Sequence, residues 1–274
     1  MGKISDAFER RDKENLLKID TTIREQPIKL THGKPKAEWV PGVHLSDWAN
    51  EKLVVLSDPE SSDAEGFRFL RNQIFHGQNG ERPRSIMVTS AFPGEGKTFV
   101  ASNLAASIAV GSDDQVLIID GDLKKPSVHQ VFGGYRAEGI YEYLDRKKEL
   151  DDLIFGTKVQ RLSMLPAGKV SARPSESGSS SEMERFMKEV TQRFCDWVVI
   201  IDTAPSNVSA GTKVIAKYVD AIVFVVMAQK WPRKEIQRSM ESLGKDKILG
   251  VIFNGYEQAN RNYRKYYDSY YGRK

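Results

Sequence analysis

The sequence has few features of secreted, membrane-spanning or thiolate-rich proteins. Among 274 residues there is a single cysteine, Cys195, which excludes an intramolecular disulfide framework and a multi-cysteine metal site. The longest apolar run, 221–228, is far shorter than the roughly 18–20 residues of a membrane-spanning helix, and the N-terminus has no signal-peptide stretch. We therefore expect a cytoplasmic protein in which Cys195, just before an apolar strand, is a buried thiol.

The charges show no strong bias either. The chain has 41 Lys and Arg against 37 Asp and Glu, a net charge of +4, and its basic residues are spread along the sequence. No basic block of the kind that binds nucleic acid is present, so we expect no nucleic-acid partner.

Apolar runs alternate with helical segments over most of the chain. This pattern predicts an α/β fold with a doubly wound, mostly parallel sheet and helices on both faces. The predicted strands are Ser85–Thr89, Val116–Asp120, Leu162–Leu165, Trp197–Asp202, Ala221–Met227 and Ile248–Phe253.

Composition divides the chain into three parts. Residues 1–60 predict a surface helix (3–19) and a proline-containing extended arm, residues 61–254 form the α/β domain, and residues 255–274 form a flexible tail. A capping box of Ser62 and Glu65 opens the domain, and a second capping box starts a helix near Ser181. The serine-rich stretch 171–181 before that helix predicts a mobile loop.

The segment SAFPGEGKT, residues 90–98, follows a predicted strand and opens a predicted helix. In that context it is typical of a phosphate-binding loop: backbone N–H groups hold phosphate, Lys97 neutralises it and Thr98 offers a hydroxyl to Mg²⁺. Ala91 replaces the first glycine of the usual pattern. The residues expected to bind ATP here are Pro93, Gly94, Glu95, Gly96, Lys97, Thr98 and Phe99.

Acidic residues follow two other predicted strands. Asp120 and Asp122 end the segment VLIIDGD, and Asp202 ends VVIID. Carboxylates at the carboxyl edge of a parallel sheet, beside a phosphate loop, predict a Mg²⁺ shell.

The order AFPGEGKT, LIIDGDLKKP, VVIIDTAP resembles the Walker A, A′ and B motifs of the bacterial tyrosine kinases, from about residue 57 to the C-terminus. The resemblance implies a P-loop fold, ATP and Mg²⁺ as cofactors, and autophosphorylation on tyrosine that regulates polysaccharide polymerisation and export. It implies that Thr98, Asp120 and Asp202 organise the metal and that Lys97 stabilises charge on the transferred group. Asp122 would orient the tyrosine hydroxyl, and Asn254 would touch adenine.

Two further features match that family. Glu65, Arg68 and Arg71 follow the E-x-x-R-x-x-R pattern by which these kinases contact a neighbour in a ring, although such a stripe can also be a solvated face. Six of the ten tyrosines lie between residues 256 and 271. The expected phosphoacceptors are Tyr263, Tyr266, Tyr267, Tyr270 and Tyr271; stacking of this tail on single-stranded nucleic acid is the alternative.

The resemblance also implies partners: other copies of the chain, a separate membrane polysaccharide co-polymerase that activates the kinase at the inner face of the membrane, and a cognate phosphotyrosine phosphatase. An alternative function is a switch ATPase of the partitioning or division-site type. Those proteins carry a signature lysine early in the loop (K-G-G-x-G-K-[ST]), and here that position is Phe92. A catalytically dead scaffold is a third possibility, against which the retained Lys97 and aspartates speak.

Overall fold

A computed structural model describes residues 51–76, 82–133, 137–169, 180–228 and 230–255. The predicted N-terminal helix, nearly all of the serine-rich loop and the tail tyrosines lie outside the described residues.

The helices and strands follow one another in the predicted alternation. The described α-helices are α1 (Val54–Ser57), α2 (Ser62–Phe75), α3 (Lys97–Gly111), α4 (Val128–Val131), α5 (Ile140–Leu144), α6 (Ser180–Arg193), α7 (Ala210–Tyr218) and α8 (Arg233–Leu243), with short 3₁₀ turns at Leu150–Leu153 and Lys245–Lys247. The strands are β1 (Ser85–Ser90), β2 (Val116–Gly121), β3 (Phe155–Gly156), β4 (Leu162–Leu165), β5 (Val198–Thr203), β6 (Ala221–Met227) and β7 (Ile248–Asn254). Within the described ranges, no helix is both long and apolar enough to cross a bilayer.

The seven strands form one sheet in the order β3-β4-β2-β5-β1-β6-β7. All neighbours are parallel except β3 and β4, which pair in antiparallel fashion. The predicted doubly wound α/β fold is therefore confirmed. Strand β3 was not predicted, because two residues give no periodic signal.

The inner strands of the sheet are buried on both faces, which explains why they are apolar nearly throughout, whereas the edge strand β7 is largely exposed. On one face, Phe186 and Phe224 belong to an apolar layer that includes residues of α5, α6 and α7. On the other face, Leu104 of α3 packs with Ile118 and Val223. Full burial of one such side chain contributes about 1.5–3 kcal/mol, so the second layer holds α3 firmly against its face of the sheet.

Three local expectations were wrong. The N-cap of α2 is Ser61, whose hydroxyl accepts the Ala64 N–H at 3.2 Å, because the capping oxygen must lie three residues before its donor. Glu65 then turns outward. Ser181 lies inside the first turn of α6, so it is not that helix's N-cap. Cys195 is exposed, because it follows α6 in a turn before β5 begins at Val198.

Residues just before position 60 pack against the domain. Leu53 and Val55 are buried in the α3 layer. The Val55 N–H donates to Asn103 Oδ1 at 3.3 Å, and Asn103 Nδ2 donates to the Lys52 carbonyl at 2.7 Å. The α/β unit therefore includes residues from Lys52, which the sequence had assigned to the arm.

Candidate active site

The segment between β1 and α3 has the backbone form of a phosphate-binding loop. Gly94 and Gly96 have φ angles of +76° and +90°, a left-handed conformation that glycine adopts without steric cost. Gly96 directly precedes α3, and no side chain caps the helix N-terminus there. The first N–H groups of a 15-residue helix are thus left for an anionic ligand.

Glu95 supports this loop from inside. Its side chain is fully buried; one carboxylate oxygen accepts the Phe92 N–H at 2.7 Å and the other accepts the Met227 N–H at 3.1 Å. The carboxylate therefore ties the loop to β6. A nucleotide contact from Glu95 is left to its backbone N–H.

The structure also restricts how three other residues predicted to bind ATP could contact it. Pro93 is exposed but has no N–H to donate. The ring of Phe99 packs edge-on against Phe67 at 5.7 Å, so it faces the protein. Asn254, at the end of β7, reaches the loop: its Nδ2 donates to the Glu95 carbonyl at 2.9 Å. A contact between Asn254 and adenine stays a prediction.

Two predicted metal ligands lie side by side. Asp120 and Asp202 occupy paired positions on the neighbouring strands β2 and β5. Oδ2 of Asp202 accepts the Thr98 hydroxyl at 2.6 Å, and Oδ2 of Asp120 accepts the N–H groups of Ser127 and Val128, both at 2.9 Å. The structure thus brings together the three predicted residues, Thr98, Asp120 and Asp202.

The remaining oxygens of the two carboxyl groups suit a cation. Oδ1 of Asp120 and Oδ1 of Asp202 are buried and have no hydrogen-bond partner among the described residues, a costly arrangement unless a ligand completes it. No three His, Cys, Asp or Glu side chains of the described chain gather as a metal cage. Two carboxylates and a hydroxyl, completed by water and substrate phosphate, fit Mg²⁺ better than metals that need a full protein cage.

Burial dominates the electrostatics of the site. Burial, together with the negative charge of Asp120, raises the pKa of Asp202 to about 8. Burial also raises the pKa of Asp120 and lowers the pKa of the Lys97 ammonium. Since these groups are poorly solvated, a divalent cation bound between them would favour the ionised form of both acids.

Asp122 lies just beyond β2 and is only partly buried. Its Oδ1 accepts the Lys125 N–H at 3.0 Å, which closes a tight turn. Its negative charge partly opposes the burial that lowers the pKa of Lys97, so the two charged groups lie within electrostatic range of each other. The predicted residues Lys97 and Asp122 therefore belong to the same site as the metal ligands.

Sequence reasoning missed two members of the site. Ser127 Oγ lies 2.9 Å from the Thr98 hydroxyl, and its backbone N–H donates to Asp120. The ring of His129 is buried with Nδ1 3.9 Å from Asp120 Oδ2. Both residues lie within three positions after the segment LKKP, but no spacing rule singles them out.

The predicted interface stripe lies on α2, apart from these residues. Arg68 Nε donates to Glu65 Oε2 at 2.6 Å, and both side chains are more than a third exposed. Arg71 instead donates to the Ser107 carbonyl of α3 at 2.8 Å. Arg68 also donates to the Pro59 carbonyl at 2.8 Å. Glu65 and Arg68 nevertheless keep exposed charge that a partner can reach, whereas Arg71 is bound to the neighbouring helix.

A parallel sheet whose glycine loop opens a helix beside two buried aspartates defines a P-loop nucleotide-binding protein. Residues 86–274 match the CobQ/CobB/MinD/ParA nucleotide binding domain. Tyrosine-protein kinase YwqD of Bacillus subtilis is 31% identical over 219 residues, which cover 78% of this chain and 90% of that protein.

The putative tyrosine-protein kinase CapB of Staphylococcus aureus is 32% identical over 218 residues, 78% of this chain and 94% of CapB. The solved kinase domain of the Escherichia coli tyrosine kinase ETK superposes with a TM-score of 0.68 at 30% identity, covering 76% of this chain and 81% of that one. The chain therefore belongs to the bacterial tyrosine kinase family.

Proposed function

We propose that this protein is an ATP-dependent tyrosine autokinase that phosphorylates its own C-terminal tyrosine cluster. The observation that carries the proposal is the pair of unmatched buried oxygens on Asp120 and Asp202, placed beside Thr98 at the start of the phosphate-loop helix. Membership of the tyrosine kinase family supplies the reaction class.

Each part of the site has a role in phosphoryl transfer. The loop N–H groups and Lys97 bind the ATP phosphates. Mg²⁺, held by Thr98, Asp120 and Asp202, supplies charge neutralisation on the phosphate oxygens. Asp122 orients the incoming phenol and accepts its proton. Since tyrosine has a pKa near 10 and is protonated at neutral pH, a positioned carboxylate aids the reaction.

The phosphoacceptors in this proposal are Tyr263, Tyr266, Tyr267, Tyr270 and Tyr271, and they are phosphorylated by a neighbouring subunit in a ring. Accessible charges on Glu65 and Arg68 support such a contact. Loading several phosphates, each about −1.5 to −2 in charge, onto adjacent tails would loosen the ring by repulsion.

The proposed setting is the cytoplasmic face of a membrane, where a polysaccharide co-polymerase activates the kinase and a phosphotyrosine phosphatase resets it. Capsule or exopolysaccharide export is the process regulated. The names of relatives such as CapB support this setting.

A switch ATPase of the partitioning or division-site type remains the second candidate, because the matched domain family includes MinD and ParA. Phe92 speaks against it. This residue occupies the position of the signature lysine, and its ring stacks on Trp231 with centroids 4.1 Å apart.

The deciding experiment is incubation of the purified protein with Mg·ATP, followed by intact mass and anti-phosphotyrosine detection. Mass increments of phosphate that require Mg²⁺ and are absent from Lys97→Met support the proposal. ATP hydrolysis without phosphotyrosine would favour the switch ATPase, and label on a folded Lys97→Met protein would refute the active-site assignment.

A further inference from the structure

The segment that follows β6 lies beside the phosphate loop and contains Lys230, which has no role in the site described above. Lys230 is exposed, and its Nζ lies 3.6 Å from the point where a Cβ on Gly94 would stand. Among the described residues, no carboxylate or carbonyl pairs with this ammonium group. Its one described contact is a cation–π approach to Trp231 at 5.5 Å, an interaction worth only about 0.5–1 kcal/mol at an exposed site.

Contacts on both sides of Lys230 fix the segment against the loop. Before it, the Met227 N–H donates to Glu95 Oε1 at 3.1 Å. After it, the Trp231 indole stacks on Phe92 with an interplanar angle of 19°. Because the chain is tied to the loop at both points, the backbone at Lys230 is fixed beside residues 92–95, within reach of its side chain.

The position of Lys230 matters because the phosphate loop has few cations of its own. Phe92 stands where related switch ATPases carry the signature lysine, so the loop itself supplies one cation, Lys97. The ring at position 92 instead anchors Trp231, whose neighbour in sequence is Lys230. Lys230, in the β6–α8 connection of the same chain, therefore places a second cation beside this loop.

We propose that Lys230 contacts the terminal phosphate of bound ATP and is a second, intramolecular cation of the phosphate loop. This inference rests on the proposed nucleotide binding and goes beyond it by naming a phosphate-contacting residue outside the P-loop and strand-end motifs. The flexible stem and compact charge of lysine suit a group that closes onto a phosphate oxygen once the nucleotide is bound.

The test is a calorimetric comparison of two ligands, the Mg²⁺ complex of a non-hydrolysable imido analogue of ATP and that of ADP. Lys230→Met should raise the Kd for the ATP analogue about tenfold, the loss expected for one charge-assisted contact. The Kd for ADP, which lacks the terminal phosphate, should change by less than about twofold. Lys230→Arg should recover most of the loss because it keeps the charge.

Lys234→Met is the matched control, since Lys234 is also exposed, lies on the first turn of α8 and makes no described contact with the loop. Equal effects of Lys230→Met on both nucleotides, or no effect on either, would overturn the inference. So would failure of the wild type to bind the analogue. Binding is measured without transfer to tyrosine, so a protein that discriminates as expected yet never labels itself would refute the kinase proposal and leave this inference standing.

Discussion

Asp120 and Asp202 are register partners on the neighbouring strands β2 and β5, and each has one carboxyl oxygen buried without a described partner. Burial raises the pKa of both acids, and the negative charge of Asp120 adds to the rise at Asp202. A proton and a metal ion would therefore compete for this site, and that competition predicts how the site depends on pH.

The first prediction concerns Mg²⁺ affinity. Below a pH of about 8, Asp202 holds a proton in the metal-free protein, and Mg²⁺ must displace it. Affinity for Mg²⁺ should rise about tenfold per pH unit up to that value and then level off. Calorimetric titration of Mg²⁺ into the ADP-bound protein between pH 7 and 9 measures this slope. Asp202→Asn should bind weakly at every pH, whereas a flat profile for the wild type would contradict the assignment.

The second prediction concerns stability without metal. The folded pKa of Asp202, about 8, lies above the ordinary value of 3.8. The folded state therefore holds more protons than the unfolded state between these values, and this contribution to stability is lost as the pH rises towards 8. At pH 8.5, Asp202→Asn should raise the Tm of the metal-free protein by about 3–6 °C, the shift that 1–2 kcal/mol produces in a domain of this size.

Thermal unfolding with and without Mg·ADP tests whether Asp202 lowers the stability of the metal-free protein and contributes to the stabilisation by Mg·ADP. The amide oxygen can still accept the Thr98 hydroxyl, so the variant removes the charge and keeps this hydrogen bond. Wild type should gain more from Mg·ADP than the variant does. A metal-free variant less stable than wild type at pH 8.5 would show that Asp202 is already stabilised as an anion.

The third prediction separates Asp122 from the metal ligands. Asp122→Asn keeps an acceptor for the Lys125 N–H but cannot take a proton. Its affinity for Mg·ADP should equal that of wild type while autophosphorylation falls about 10²-fold or more. Asp120→Ala should lose Mg-dependent binding. If Asp122→Asn loses binding and Asp120→Ala does not, the two roles have been exchanged.

The residues of the site differ in how well their positions could be predicted from the sequence. Asp120, Asp202 and Thr98 were predictable because strand ends and a phosphate loop fix their positions through the backbone. Ser127 and His129 were not, since their place depends on how the chain folds back after Pro126. The side-chain direction of Glu95 was likewise invisible, because a glycine-rich motif does not show which of its members turns inward.

The ends of the strands and helices could likewise be predicted only to within about one residue. Most predicted strands agree with the structure to within a residue, since each apolar run is bounded by polar or turn-forming residues that mark its ends. The N-cap of α2 was misplaced by one residue because Ser61 and Ser62 are both competent caps. Only the hydrogen bond from Ala64 to Ser61 distinguishes them.

The fourth prediction concerns assembly through α2. Arg68→Glu should convert the unphosphorylated protein to monomers, because it reverses an accessible charge beside Glu65. Arg71→Glu is a poorer probe, since it also removes the donor to Ser107 and would loosen α2 from α3. Light scattering at several concentrations measures the outcome. Arg238→Glu, which disrupts a similar exposed pair with Glu235, is the control, and assembly of Arg68→Glu like wild type would make the stripe a solvated face.

The last prediction is delivery of phosphate between subunits. A Lys97→Met chain that keeps all its tyrosines is mixed with an active chain whose Tyr263, Tyr266, Tyr267, Tyr270 and Tyr271 are changed to phenylalanine. Neither can label its own tail: the first lacks the phosphate-loop cation and the second lacks acceptors. Phosphotyrosine should appear on the Lys97→Met chain, resolved from its partner by intact mass. Arg68→Glu introduced into both chains should abolish this label by separating them. If the Lys97→Met chain stays unlabelled while the two proteins co-assemble and wild type labels itself, transfer occurs within one chain or onto other acceptors, and the ring model fails.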